Sequence, residues 1–139
     1  MRLRGRQYHN MDVKGRVLMP SSYKDILGDR YVVTRGLDDN VLLFSVEQWD
    51  IFEDKLYELP EDASEVKEYF CSFALDVEID KAGRILIPQM HRTHAGLVKE
   101  VVFIGNLNRL EIWDAEVKSE AESGIDRAAI KAKMKEYNV

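Results

Sequence analysis

The residues whose types and spacing could do chemistry gather at the start of the chain. Arg2, Arg4 and Arg6 alternate, so an extended segment would carry all three guanidinium groups on one side. Lys14 and Arg16 follow in the run Asp12-Val-Lys-Gly-Arg16. Guanidinium groups fork onto phosphate oxygens or a guanine edge, so such a row suits a polyanion. A solvated terminus that binds nothing is the other reading of the same arginines. Within the turn, Asp12 can accept backbone N–H groups, and Arg16 can pair with that carboxylate or with a neighbouring chain.

The motif returns as Asp80-Lys-Ala-Gly-Arg84. No nucleophile and base recur beside either copy, so Asp12 and Asp80 read as turn and ion-pair residues and no catalytic residue is assigned. The flanks differ: the second lead-in, Leu75-Asp-Val-Glu78, is acidic where the first is basic. Nucleic-acid contact is therefore expected from Arg16, Lys14, Arg2, Arg4 and Arg6 of the first copy. Arg84 is expected to serve turn structure or subunit contacts, with Gly15 and Gly83 supplying the turn conformation.

Other candidates are thin. His91 and His94 could share a helix face, but no third ligand is in view, so no metal site is assigned and the two read as exposed or stacking histidines. Cys71, the single cysteine, lies in an apolar stripe with Phe70 and Phe73 and reads as a core thiol. Trp49 and Trp113 read as core, and Asp38-Asp39 as turn chemistry. A Gly-rich phosphate loop and a nucleophile signature are both absent, so no cofactor or small-molecule substrate is expected.

The elements that must position these residues also come in two copies. At an offset of 68, Asp12, Gly15, Arg16, Leu18 and Pro20 fall on Asp80, Gly83, Arg84, Leu86 and Pro88. After one inserted residue, Val32-Val33 and Gly36 fall on Val101-Val102 and Gly105, and Val41 to Phe44 on Leu110 to Trp113. Each copy reads as strand, tight turn, strand, short helix, strand, turn, strand. Ser21 or Ser22 is expected to cap the first short helix, with Tyr23, Ile26 and Leu27 inward; Met90 to Ala95 is its counterpart.

Longer stripes predict connecting helices: Val46, Trp49, Phe52, Leu56 and Leu59, then Val66, Tyr69, Phe70 and Phe73 after Ser64. Pro60-Glu-Asp is the only plausible linker. The tail from Asp126 to Asn138 predicts a charged helix with a thin stripe at Ile130, Met134 and Tyr137, to pack on a neighbour or fray. The expected division is 6–48 and 74–117 for the two modules, 49–73 for the connecting helices and 118–139 for the tail.

Composition bounds the class. The 139 residues are 45% hydrophobic and 32% charged, as in a globular chain with a real core. No apolar run reaches the roughly 20 residues that span a bilayer, so no membrane partner is expected. Met1-Arg-Leu-Arg-Gly-Arg6 is basic but no apolar stretch follows, so a cytosolic address is expected. The net charge of −5 hides a division: residues 1–35 hold eight basic and three acidic side chains, net +5, and the other 104 hold 12 and 22, net −10. A basic end sits on an acidic body.

In this order and spacing, the Arg/Gly start, Asp12-Val-Lys-Gly-Arg16, Val33-Thr-Arg-Gly36, Trp49, Asp80-Lys-Ala-Gly-Arg84-Ile-Leu-Ile-Pro88, His94-Ala-Gly-Leu97 and Glu111-Ile-Trp-Asp114 resemble the MraZ family of bacterial regulators, over residues 1 to about 118. The resemblance implies an α+β fold, mainly β: two tandem AbrB/SpoVT-like swapped-hairpin modules forming a pseudo-symmetric double-psi-like barrel with peripheral helices. It implies a ring-shaped homo-oligomer in the cytoplasm, on the nucleoid. Its partner would be double-stranded DNA, as short direct repeats upstream of its own division and cell-wall gene cluster, and Arg16 would carry the contact. One departure is Met19-Pro-Ser-Ser-Tyr23, where the family more often has Ile-Pro-Ala-Lys-Phe; a lysine leaves the phosphate-facing set.

Two other classes stand against the expected repressor. A protein-binding module of antitoxin type needs a disordered tail to wrap its partner, whereas here a second complete copy follows the first. An enzyme has no supporting constellation.

Overall fold

The structure, a computed structural model, describes residues 2–139. The first copy comprises β1 (Arg6–Asn10), β2 (Arg16–Leu18), α1 (Ser21–Leu27), β3 (Arg30–Arg35) and β4 (Val41–Ser45). Helices α2 (Val46–Tyr57) and α3 (Ser64–Cys71) follow, joined through a 3-10 turn at Glu61–Ala63. The second copy comprises β5 (Leu75–Glu78), β6 (Arg84–Leu86), α4 (Gln89–Ala95), β7 (Glu100–Asn106) and β8 (Arg109–Asp114), and ends in α5 (Ala115–Glu122) and α6 (Arg127–Glu136). Among the described residues, eight strands thus stand with six α-helices, and no helix is long and apolar enough to cross a membrane.

The two copies interleave. A six-stranded antiparallel sheet runs β1-β7-β8-β4-β3-β5, so the first strand of each copy pairs with the third strand of the other. The fourth strands, β4 and β8, pair across the centre with Val41 opposite Ile112. The second strands form a separate ribbon, with Arg16 opposite Leu86, Val17 opposite Ile85 and Leu18 opposite Arg84. Backbone bonds repeat the same symmetry: Met19 N–H donates to the Gly83 carbonyl and Ile87 N–H to the Gly15 carbonyl, each at 2.9 Å.

Alternation explains why neither copy could bury its strands by itself. Successive strand residues face opposite sides, and β3 is buried on both. Val33 joins the main core with Val17, Ile85, Leu43, Phe103 and Ile112, drawn from both copies. Val32 faces the other way and joins Leu42, Phe44, Trp49, Leu56 and Phe70 under α2 and α3. Phe44, Trp49 and Phe52 meet in pairs with ring centroids 5.4 to 5.6 Å apart.

Some local expectations differ from the structure. Pro20, not Ser21 or Ser22, holds the cap position of α1 and no side chain caps it; the fixed proline torsion starts the helix one residue earlier. Pro60 to Asp62 runs into the 3-10 turn that leads α3 off. Cys71 is exposed: it ends α3 on the flank away from buried Phe70, so the apolar stripe passes beside it. Helix α5 starts three residues before the expected helical tail at 118 and buries none of its residues; its start is marked by Asp114, whose carboxylate accepts from the Val117 N–H at 3.3 Å. Trp49 and Trp113 are both core, at 5% exposure.

Candidate nucleic-acid interface

Each Asp-x-x-Gly-Arg motif closes a tight turn that its own aspartate holds. Asp12 Oδ1 accepts the N–H groups of Lys14 (3.0 Å) and Arg16 (2.9 Å), while Oδ2 accepts the Arg16 Nε–H at 2.8 Å. Asp80 does the same with Ala82, Arg84 and the Arg84 Nε–H at 2.9, 2.8 and 3.1 Å. These backbone donations, with the paired guanidinium, hold both carboxyls below the usual carboxylate range. Gly15 and Gly83 sit at φ of 90° and 79°, where a side chain is strained.

The two turns share one surface. Along the β2–β6 ribbon, Val17 and Ile85 point into the core at 1% exposure, so alternation sends Arg16, Leu18, Arg84 and Leu86 outward. Arg84 Nη1 stands 3.9 Å from Asp12 Oδ2, so the first copy's carboxylate faces arginines of both copies. In each arginine Nε is tied to its own aspartate, which aims the terminal Nη groups while leaving N–H donors for a ligand. Leu18 and Leu86 are half-exposed beside them, at 48% and 51%.

Arg92 adds to this cluster, and sequence reasoning missed it. Its Nε–H donates to the Ile87 carbonyl at 2.9 Å, and its guanidinium lies against Gly15, where an added Cβ would sit 2.6 Å from the guanidinium carbon. Its signal was the glycine itself, which leaves room for a side chain from another element. Lys14 is exposed at the same turn.

The basic arm is placed elsewhere. Leu3 is buried and exchanges backbone hydrogen bonds with Leu107, beyond the end of β7. Gly5 turns the chain with a φ of 82°, so Arg4 and Arg6 do not lie on one continuous extended row. Arg6 forms a two-pronged ion pair with Glu122 of α5, which lowers the Glu122 pKa. Arg2 and Arg4 are exposed beside Leu107. Strand β1 alone separates Arg6 from Asn10 by roughly 13 Å, at about 3.3 Å per residue. Arg6 is thus held at α5 rather than at the Asp12 turn.

His91 departs from the expected exposure but keeps an aromatic neighbour. His91 is fully buried, donates from Nε2 to the Phe73 carbonyl at 2.7 Å and stands edge-on to the Phe73 ring. His94 is bound through Nε2 to the Asp38 carbonyl at 3.0 Å. Among the described residues, no three His, Cys, Asp or Glu side chains converge as a metal site would require.

Comparison with known proteins finds related sequences along most of the chain. The family model described as "MraZ protein, putative antitoxin-like" matches twice, over residues 3–68 and 70–134. A protein of Thermoanaerobacter pseudethanolicus named "Transcriptional regulator MraZ" is 44% identical over 127 residues, 89% of each chain. Relatives of the same name from Lachnoclostridium phytofermentans and Clostridium beijerinckii are 45% identical over 114 residues (81% of each chain) and 42% identical over 139 residues (97% of this chain, 98% of the relative).

Proposed function

Because this chain belongs to the MraZ family, we propose that it is a sequence-specific DNA-binding transcriptional regulator. The observation that carries the reading is the outward face of the β2–β6 ribbon, where Arg16 and Arg84 stand with Leu18 and Leu86. A two-stranded ribbon fits the major groove, arginine takes guanine or phosphate, and exposed leucines suit thymine methyls and sugars. Lys14 and Arg92 flank the ribbon for the phosphates on either side. Arg2 and Arg4 belong to a secondary contact beyond the ribbon, and Arg6 serves the arm's attachment to α5.

The finer reading is a repressor and autoregulator, cytoplasmic and on the nucleoid. It binds short direct repeats ahead of its own division and cell-wall cluster as a ring-shaped homo-oligomer. Each subunit binds weakly through a few phosphates and bases, and several ribbons in register give the affinity. The exchange of first strands between copies supports reading the chain as two swapped-hairpin modules, 6–48 and 74–117, closed into a double-psi-like barrel.

The test is gel-shift titration on the DNA just upstream of this protein's own gene, against scrambled DNA of equal length. The proposal expects preference for the repeat-bearing fragment and a footprint at regular spacing. Equal affinity for both fragments overturns it.

A further inference from the structure

Helix α6 is a ten-residue helix without a packing partner among the described residues: every residue from Ser123 to Val139 is solvent-exposed. Isolated helices below about 12 to 15 residues are marginal in water, so α6 needs something to pack on. Its counterpart after the first copy has it. There α3 buries Phe70, the Thr34 hydroxyl donates to the Phe70 carbonyl (2.6 Å), Arg35 Nε–H to the Tyr69 carbonyl (3.0 Å) and the Tyr69 hydroxyl to the Gly36 carbonyl (2.5 Å). On α6, Ile130, Met134 and Tyr137 form an uncovered stripe at 52%, 45% and 67% exposure.

What covers it is indicated by charge and shape. Residues 127–136 hold four basic side chains and one acidic, net +3. Residues 46–73, which carry α2 and α3, hold nine acidic and two basic, net −7. Between those helices lies a groove of about 300 Å³ lined by Glu53, Asp54, Leu56, Tyr57, Lys67 and Cys71, an apolar floor with two acids on the α2 side and Lys67 on the α3 side. DNA would take the lysines of α6 but would leave Ile130 and Met134 uncovered.

We propose that α6 of one copy docks into the α2–α3 groove of a second copy of the chain. The inference rests on the homo-oligomeric reading above and names the surfaces that build the oligomer. Helix and groove are different surfaces, so the contact is head-to-tail and propagates from copy to copy until it closes. Ile130 and Met134 enter the groove between Leu56 and Tyr57, and Lys131, Lys133 and Lys135 face the acids at its edges.

Cys71 in the groove is a built-in probe, because the chain has no other cysteine. Full-length Met134→Cys protein, oxidised with oxidised glutathione, should give a covalent ladder of dimers, trimers and larger species. Met134→Cys with Cys71→Ser should stop at dimers. An intramolecular crosslink would place α6 in its own groove and overturn the inference. Sedimentation velocity is the second measurement: Ile130→Asp should weaken assembly at least tenfold with unchanged circular dichroism, and Lys131→Glu with Lys133→Glu should do the same until Glu53→Lys and Asp54→Lys are added. A wild-type oligomer with no ladder and an unaffected Ile130→Asp variant overturns this docking and leaves the homo-oligomer standing. A wild-type chain that stays monomeric at all concentrations overturns both. Lysine reversals that abolish DNA binding while leaving mass unchanged assign α6 to DNA and overturn the docking.

Discussion

Arg84 of the second copy reaches to within 3.9 Å of the Asp12 carboxylate in the first, so the two repeated turns meet at one charge cluster. Asp12 answers to two arginines and Asp80 to one. Asp12→Asn should therefore lower DNA affinity more than Asp80→Asn, because it releases Arg16 and also removes the carboxylate that faces the Arg84 Nη1 group. Fluorescence anisotropy on the upstream fragment measures this; equal effects would show that the cross-copy contact has no role.

The ribbon also ranks the arginines. Arg16→Ala and Arg84→Ala should each cost about tenfold or more in specific affinity. If each loses one phosphate contact, the slope of log affinity against log salt falls by about 0.9. Arg6→Ala should change affinity little, since Glu122 already engages its guanidinium. A dominant loss from Arg6 with a neutral Arg84 would return the interface to the arm.

The two glycines should not be equivalent. Gly83→Ala has room, its nearest neighbour being Leu18 Cδ2 at 3.7 Å, and should cost about 1 to 2 kcal/mol for the left-handed backbone alone. Gly15→Ala must in addition displace the Arg92 guanidinium. Urea denaturation should find Gly15→Ala the less stable, and an Arg92→Ala background should narrow the gap.

Truncation under the ribbon should be costly. Ile85 is buried at 1% exposure opposite Val17, and Ile85→Ala should lose about 2 to 5 kcal/mol. Calorimetry should show one transition moved down as a whole, because the core is shared by both copies. Two separated transitions would contradict that.

Stability should fall in acid in two ranges. Burial first, then the nearby His94, lowers the His91 pKa, although the Phe73 carbonyl works the other way; Nδ1 is buried with no hydrogen-bond partner among the described residues. The unfolded chain takes up this proton first, so the contribution of neutral His91 is present above about pH 6.5 and is lost as pH falls through the folded value. Asp12 and Asp80 are depressed as well, so their contribution is present above about pH 4 and is lost below it as pH falls through their folded values. Urea midpoints from pH 8 to 3 should show both falls, and His91→Phe should remove only the upper one.

What was legible in the sequence is what short-range physics dictates. Asp12, Gly15 and Arg16 lie within five residues, and a carboxylate, a glycine and an arginine at that spacing form the same turn wherever they occur. The stripe through Trp49 and Leu56 repeats at the helical period and marks its buried face just as locally. The tertiary structure alone decided what those turns stand beside. The match between copies is visible as letters, but that β2 pairs with β6, that Arg84 turns to Asp12, that Arg6 is held by Glu122 and that Arg92 fills the space over Gly15 are contacts between residues 66 to 116 positions apart. No local pattern encodes them; they follow from strands buried on both faces, one face under α2 and α3 and the other in a core to which both copies contribute.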